Sequence, residues 1–210
     1  MIARLPQAAT QGLVMLHGRG GSGADILSLL DHAGLPDVAA VAPEAPGNSW
    51  WPSSFLAPFA QMEPFVERGL AEVAAGVSRL EQAGLARSAI WLCGFSQGAC
   101  LALEAFAREG KGLAGVFALS GGLVGLADHG QPDPALYGHA DKDLSYSGPR
   151  SGQVWISVHT RDPHIPLRRV EDSAAALRKA GATVEMRVFP GAGHAVMRED
   201  IAALRRHLNR

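Results

Sequence analysis

The sequence predicts an α/β fold: one mostly parallel sheet of about six or seven strands, helices on both faces and no large cap. Three observations predict it. Short apolar runs alternate with helix-patterned segments along the whole chain, the arrangement that joins parallel strands through crossover helices. The stretch Gly94-Phe95-Ser96-Gln97-Gly98 lies between an apolar strand run ending at Cys93 and a helical run beginning at Ala99. Asp162 and His194 stand just past the carboxyl ends of two later strand runs, where open α/β sheets place their sites.

The elements follow in order. Residues 12–16 read as a strand, 24–33 as a helix and 38–42 as the second strand. Residues 43–59, rich in Pro, Ser and aromatics, read as a loop. Segment 62–83 has apolar residues at 62, 66, 70, 73, 77 and 80, spacings of three and four, and Gly84 ends it. A strand over 89–93 leads into a helix over 98–108, and 113–119 is the next strand. Residues 121–152 carry little periodicity; loops of that length are more often functional or mobile than incidental. A strand over 154–158, a helix over 167–180 closed by Gly181, a strand over 183–189 and a helix over 195–208 complete the chain. Neither an internal repeat nor a linker interrupts the pattern, so the expectation is one domain over 1–210.

Composition narrows the function classes. With 47% hydrophobic residues the chain can bury a full core. Its 19 basic and 20 acidic residues nearly balance and form no basic stripe, which argues against nucleic acid and anionic membrane surfaces as partners. No apolar run reaches membrane-spanning length, and the first residues lack the apolar core of a signal peptide. The two cysteines, Cys93 and Cys100, flank the Ser96 turn and read as small core residues rather than a disulfide, which fits a reducing compartment. The expected setting is cytoplasmic. The oligomeric state is left open, with a homodimer as one option.

The chemistry centres on Ser96. A serine on a tight strand-to-helix turn has its hydroxyl exposed, and the flanking glycines fit a turn with no room for side chains. A serine hydroxyl needs a base within hydrogen-bond reach and an acid to orient the base. Asp162, in Thr160-Arg161-Asp162-Pro163-His164-Ile165-Pro166, and His194, in Pro190-Gly191-Ala192-Gly193-His194, supply the types in the order Ser, Asp, His. Each also has a plainer role: Asp162 before Pro163 fits a turn start, and His194 fits a helix N-terminal residue. Their joint order favours the triad.

Eight histidines make His194 one of several candidate bases. His159 reads as a strand-end anchor. His164 is able to approach the site, yet it shares a short loop with Asp162 and is poorly placed to bridge that acid to Ser96. His129 and His139 fall in the unpatterned loop, and His32 and His207 sit on helical patterns and are expected to be solvated. His159, Asp162 and His164, with His139 and Asp141, also suggest a metal site, but they follow no recognised ligand spacing; no metal or other cofactor is expected.

Gly18-Arg19-Gly20-Gly21-Ser22-Gly23 presents a competing motif. It fits G-x-G-x-x-G after a strand and before a helix, with Glu44 about twenty residues further on, the context of a dinucleotide-binding turn. A nicotinamide-dependent oxidoreductase is therefore the alternative enzyme class. It is disfavoured because His17 is bulky beside a pyrophosphate, and because it leaves the Ser96 turn, Asp162 and His194 as coincidences. A catalytically silent binding protein on the same scaffold is the third class.

On these residues the chain resembles the phospholipase/carboxylesterase family of small serine α/β hydrolases, whose relatives include acyl-protein thioesterases. The resemblance rests on Leu16-His17-Gly18-Arg19-Gly20, Gly94-Phe95-Ser96-Gln97-Gly98, Leu119-Ser120-Gly121-Gly122-Leu123, Asp162-Pro163-His164-Ile165-Pro166 and Gly191-Ala192-Gly193-His194. It implies an α/β-hydrolase fold, Ser96 as nucleophile, Asp162 as acid and His194 as base, and an oxyanion hole from the backbone N–H groups of Arg19 and Gln97. Three departures accompany it: Ala99 where a second Gly often follows the turn, Thr160 where Gly often follows the histidine, and leading antiparallel strands lost or shortened.

The implied substrate is a small-molecule carboxylic ester with a short- to medium-chain acyl group, or a thioester. Trp50, Trp51 and Phe55, in the loop after the second strand, are expected to line its pocket, although a buried Trp is as readily plain core.

Overall fold

The computed structural model describes residues 1–127, 131, 133–136, 140–146 and 151–209. In chain order its elements are β1 (Ile2–Arg4), β2 (Gly12–Leu16), α1 (Gly23–Ala33), β3 (Ala39–Ala42), α2 (Phe59–Gln82), β4 (Ile90–Phe95), α3 (Gln97–Glu109), β5 (Gly115–Leu119), β6 (Gln153–Arg161), α4 (Leu167–Lys179), β7 (Thr183–Ala192) and α5 (Arg198–Leu208). The seven strands form one sheet in the order β1-β3-β2-β4-β5-β6-β7. Only β1 runs antiparallel to its neighbour; every other pair is parallel.

Strands β2 and β5 are buried along their whole length, because helices cover both faces of the sheet. Alternate side chains therefore enter two different cores. Val14, Leu16, Leu92, Val116 and Ile156 pack with α2, α3 and α4. Leu13, Met15, Cys93, Phe117 and Trp155 pack with α1 and α5. Among the described residues, no helix is long and apolar enough to cross a membrane.

The six strands and five helices read from the sequence are all present. Strand β1 is the addition. Three residues are too few to show an alternation, and β1 sits at the sheet edge with Ile2 opposite Ala42 and Arg4 opposite Ala40. A single short antiparallel strand thus precedes the parallel core. Strands β6 and β7 both run three residues further than their apolar runs suggest. Thr160 closes their far end: its Oγ1 accepts the Gly191 N–H at 2.9 Å and donates to the Gly191 carbonyl at 3.1 Å, beside a register shift between His159 and Arg161. Helix α5 begins at Arg198 rather than 195, because the Asp200 carboxylate accepts the Met197 N–H at 2.8 Å and fixes the first turn there. His194 is thereby left in an irregular turn outside the helix. His207, expected in water, instead packs its ring 5.2 Å from that of Trp91 and 5.7 Å from that of Phe117.

The described part of 121–146 is fastened to the body by two buried charges. Arg169 donates from Nη1 to the carbonyls of Leu123 and Gly125, and from Nη2 to Asp141. Glu104 accepts the Val124 N–H and the Tyr146 hydroxyl and pairs with Arg108. Buried ions need such partners, since desolvation costs several kcal/mol per ion. His129 and His139 lie outside the described residues.

Candidate active site

Strand β4 ends at Phe95, Ser96 turns the chain and α3 starts at Gln97. Ser96 has φ 54° and ψ −119°, a left-handed backbone that a residue with a Cβ holds only under strain. Neighbouring chain fixes it there: the Ser96 N–H donates to the Leu119 carbonyl at 2.9 Å, and its carbonyl accepts the Cys100 N–H at 3.0 Å. Both glycines of the motif are required by close approach. A Cβ on Gly94 would lie 2.2 Å from the Gly98 carbonyl oxygen, and one on Gly98 would lie 2.1 Å from that of Leu16. The turn is therefore pressed against the end of β2.

Ser96, Asp162 and His194 come together from three strand ends. Ser96 Oγ lies 2.7 Å from His194 Nε2, and His194 Nδ1 lies 2.8 Å from Asp162 Oδ2. The other Asp162 oxygen accepts the N–H groups of His164 at 2.8 Å and Ile165 at 3.0 Å. Burial pushes the Asp162 carboxyl upward, but the hydrogen bonds from His194, His164 and Ile165 outweigh it and hold the group below the usual carboxylate range. The acid is thus ionised, and its Oδ2 faces the imidazole. Because Asp162 accepts from Nδ1, Nε2 is left to accept the Ser96 hydroxyl proton.

The turn after β2 carries Arg19 opposite Gln97. Its shape is set by His17, which is 1% exposed. His17 Nδ1 donates to the Gly18 carbonyl at 2.8 Å and Nε2 accepts the Ala45 N–H at 3.1 Å. The Arg19 guanidinium donates to the carbonyls of Pro52 and Ser53, and the Gly20 N–H to that of Asn48 at 2.7 Å. Segment 18–23 is consequently ill-suited to a dinucleotide. Its Gly21 N–H donates to the Gly18 carbonyl at 3.1 Å. At the start of α1, Ser22 donates from N and Oγ to the Asp25 carboxylate at 2.8 and 2.7 Å. A carboxylate thus stands where a pyrophosphate needs free donors and positive potential.

A chamber of about 280 Å³ opens beside Ser96, with Trp51, Phe55, Pro163 and Ile165 among its walls. Of the three aromatic residues expected to line a substrate pocket, Trp51 and Phe55 line this chamber and Trp50 does not. Its ring lies 5.2 Å from that of His17, and its Nε1 donates to the His17 carbonyl at 2.9 Å, so it supports the Arg19 turn from below. His164, set aside as a base, does line the chamber, with its ring edge-on to His194 at 4.9 Å. Pro163 and Ile165 were missed as wall residues, although they flank Asp162 directly in sequence. His159 is buried against Phe189 beneath the Gly193 turn. Among the described residues no group of three His, Cys, Asp or Glu side chains is placed to hold a metal; Asp162 is committed to His194, and Asp141 to Arg169.

A parallel sheet with a strained serine after its central strand, facing a histidine and an aspartate from later strand ends, defines a hydrolase of the α/β class. The chain belongs to the phospholipase/carboxylesterase family, whose model matches residues 1–131. A phospholipase/carboxylesterase from Dyadobacter fermentans is 36% identical and superposes with a TM-score of 0.82 over 97% of this chain and 92% of that one. Esterase PE8, 24% identical, shares the fold with a TM-score of 0.75 over 99% of this chain and 95% of that one. A carboxylesterase from Mesorhizobium loti, 21% identical, does so with a TM-score of 0.69 over 95% and 88%. Family membership makes the protein an esterase-type hydrolase.

Proposed function

We propose that the protein is a serine carboxylesterase that cleaves short- to medium-chain carboxylic esters through an acyl-enzyme, within one catalytic domain over 1–210. The observation that carries this reading is the continuous hydrogen-bond chain from Asp162 through His194 to Ser96 at the mouth of an apolar chamber. Ser96 Oγ attacks the ester carbonyl while His194 Nε2 takes its proton. Asp162 holds the ring in the tautomer that leaves Nε2 free and stabilises the imidazolium. Negative charge on the carbonyl oxygen is met by the N–H groups of Arg19 and Gln97. The alcohol leaves with the proton from His194, and water then releases the acid by the same steps. Every proton and charge in this scheme is handled by the chain's own groups, so it calls for no cofactor.

The chamber supports the acyl range. Taking a water's share of ~30 Å³ as the size of one methylene group, its volume takes about nine such groups. Two free, buried thiols, Cys93 and Cys100, support a reducing, cytoplasmic setting.

A panel of p-nitrophenyl esters and acyl thioesters of graded length tests the reading. Wild type should turn over the shorter esters, and Ser96→Ala and His194→Ala should each lose ~10⁴-fold or more in kcat. A well-folded Ser96→Ala variant with near-normal turnover would overturn the nucleophile. An inactive His164→Ala beside an active His194→Ala would transfer the base to His164. No turnover of any member would favour the silent binding protein.

A further inference from the structure

We propose that the apolar groove between α1 and the turn carrying Val196 is the subsite for the alcohol half of the ester, and that it selects neutral alcohols bearing an alkyl or aryl chain. This inference rests on the reading of Ser96 and His194 as the reacting pair.

The direction of proton transfer divides the site. The leaving oxygen must receive its proton from His194 Nε2, so the alcohol half lies on the His194 side of Ser96 and the acyl half on the other. The structure has space on each side, and the two meet at Ser96. The chamber walled by Trp51, Phe55 and Ile165 reaches Ser96 and Gln97, and His194 is not among its lining residues. A second space, of about 250 Å³, shares Ser96 and His164 with the chamber and is bounded besides by His194, together with Gly18, Arg19 and Phe95. Those last three residues also line a third space, of about 200 Å³, whose further walls include Ile26, Leu29 and Val196. Ser96 and His194 therefore open past Phe95 into the groove without a break in the lining. The Phe95 ring, with its centroid 5.0 Å from that of His194, forms the shared wall.

The chemistry of the groove defines its ligand. Leu29, Phe95 and Val196 are only half-buried, and each is packed against the α1–α5 core on its inner side. A half-open apolar surface that continues from reacting atoms is most simply covered by substrate. Its lining carries one carboxylate, Asp25, already taken by Ser22, and one guanidinium, Arg19, already taken by the Pro52 and Ser53 carbonyls, so the charges offset and a neutral alcohol fits. At ~30 Å³ per methylene-sized group, the groove takes a chain of about six or seven carbons.

Two measurements test this. Methyl, butyl and hexyl butanoate share one acyl group, so differences in kcat/KM report the alcohol half. The hexyl-to-methyl ratio should exceed ~10 in the wild type and fall about tenfold in Leu29→Gln and in Val196→Asn, which lie on opposite walls. The ratio between methyl hexanoate and methyl butanoate should hold in both variants. A shift in that acyl ratio instead, or alcohol ratios that stay put in both folded variants, would overturn the assignment. Binding of 1-hexanol to the Ser96→Ala protein, followed by ligand-observed NMR, needs no turnover. Saturable binding that Leu29→Gln and Val196→Asn weaken supports the groove even if the wild type cleaves none of these esters, in which case the esterase reading fails alone. Binding that neither variant weakens, or no binding, overturns the groove whatever the turnover.

Discussion

The Trp50 N–H donates to Gln97 Oε1 at 2.8 Å, and the same amide returns a hydrogen bond from Nε2 to the Trp51 carbonyl at 2.8 Å. The residue that follows Ser96 thus uses both ends of its side chain to hold the loop that carries a chamber wall. Its backbone N–H, at the start of α3, is the donor that the proposed mechanism assigns to the carbonyl oxygen of the substrate. One residue couples the two functions because the sheet brings the 49–51 loop over the α3 N-terminus.

Gln97→Ala keeps the backbone donor and removes the clamp. The buried Trp50 N–H then loses its partner, at a cost of roughly 1–3 kcal/mol, while the Trp51 carbonyl keeps the Ser49 hydroxyl at 2.7 Å. Thermal denaturation should show Tm lowered by about 2–12 °C, at ~2–4 °C per kcal/mol for a chain of this size. KM should rise more for longer acyl esters, which reach the Trp51 wall, than for acetyl esters. An unchanged Tm together with an unchanged acyl profile would mean that the amide does not hold the loop.

The parts of this site that were legible in the sequence are those that local rules determine. The Ser96 turn needs glycines at 94 and 98 because the chain there meets β2 and itself, and that demand is written in adjacent residues. Asp162 and His194 were visible because each follows an apolar run directly, and the parallel sheet gathers strand ends on one edge. The aromatic loop was only half legible. Trp50 and Trp51 are neighbours in a segment without periodicity, and the choice of which ring faces the chamber is made by His17, more than thirty residues away. Both halves of the His164 reading follow from its loop. The short 162–166 loop prevents it from bridging acid to serine, but the same shortness places it beside His194. Strand β1 left no signal, because a three-residue edge strand is specified by its partner β3 rather than by its own pattern.

Asp162 makes stability depend on pH with a definite sign. Its folded pKa is depressed, so its contribution is fully present above the unfolded value, about 3.9, and is lost as pH falls through the folded value. Urea denaturation of the wild type and Asp162→Asn should therefore show a gap that is constant at pH 5 and above and narrows below about pH 4. A gap that widens on acidification would mean that burial prevails over the hydrogen bonds. The same substitution presents an amide to His194 Nδ1 and favours the wrong tautomer, so kcat should fall by about 10³–10⁴-fold at neutral pH.

Ser96 itself should be a source of instability. Its φ of 54° is held by the Leu119 carbonyl and by the tight approach to β2, and such conformations cost about 1–3 kcal/mol in a residue with a Cβ. Ser96→Ala removes the hydroxyl and keeps the Cβ, whereas Ser96→Gly removes both. Glycine gives back roughly 0.5–1 kcal/mol through the greater freedom of its unfolded chain, which leaves a net relief of up to about 2 kcal/mol. Both variants should lack esterase activity, and the Gly variant should melt several degrees above the Ala variant. Equal melting temperatures would cap the strain at the glycine cost of roughly 0.5–1 kcal/mol, and a Gly variant that melts well below the Ala variant would show that the turn holds Ser96 without strain.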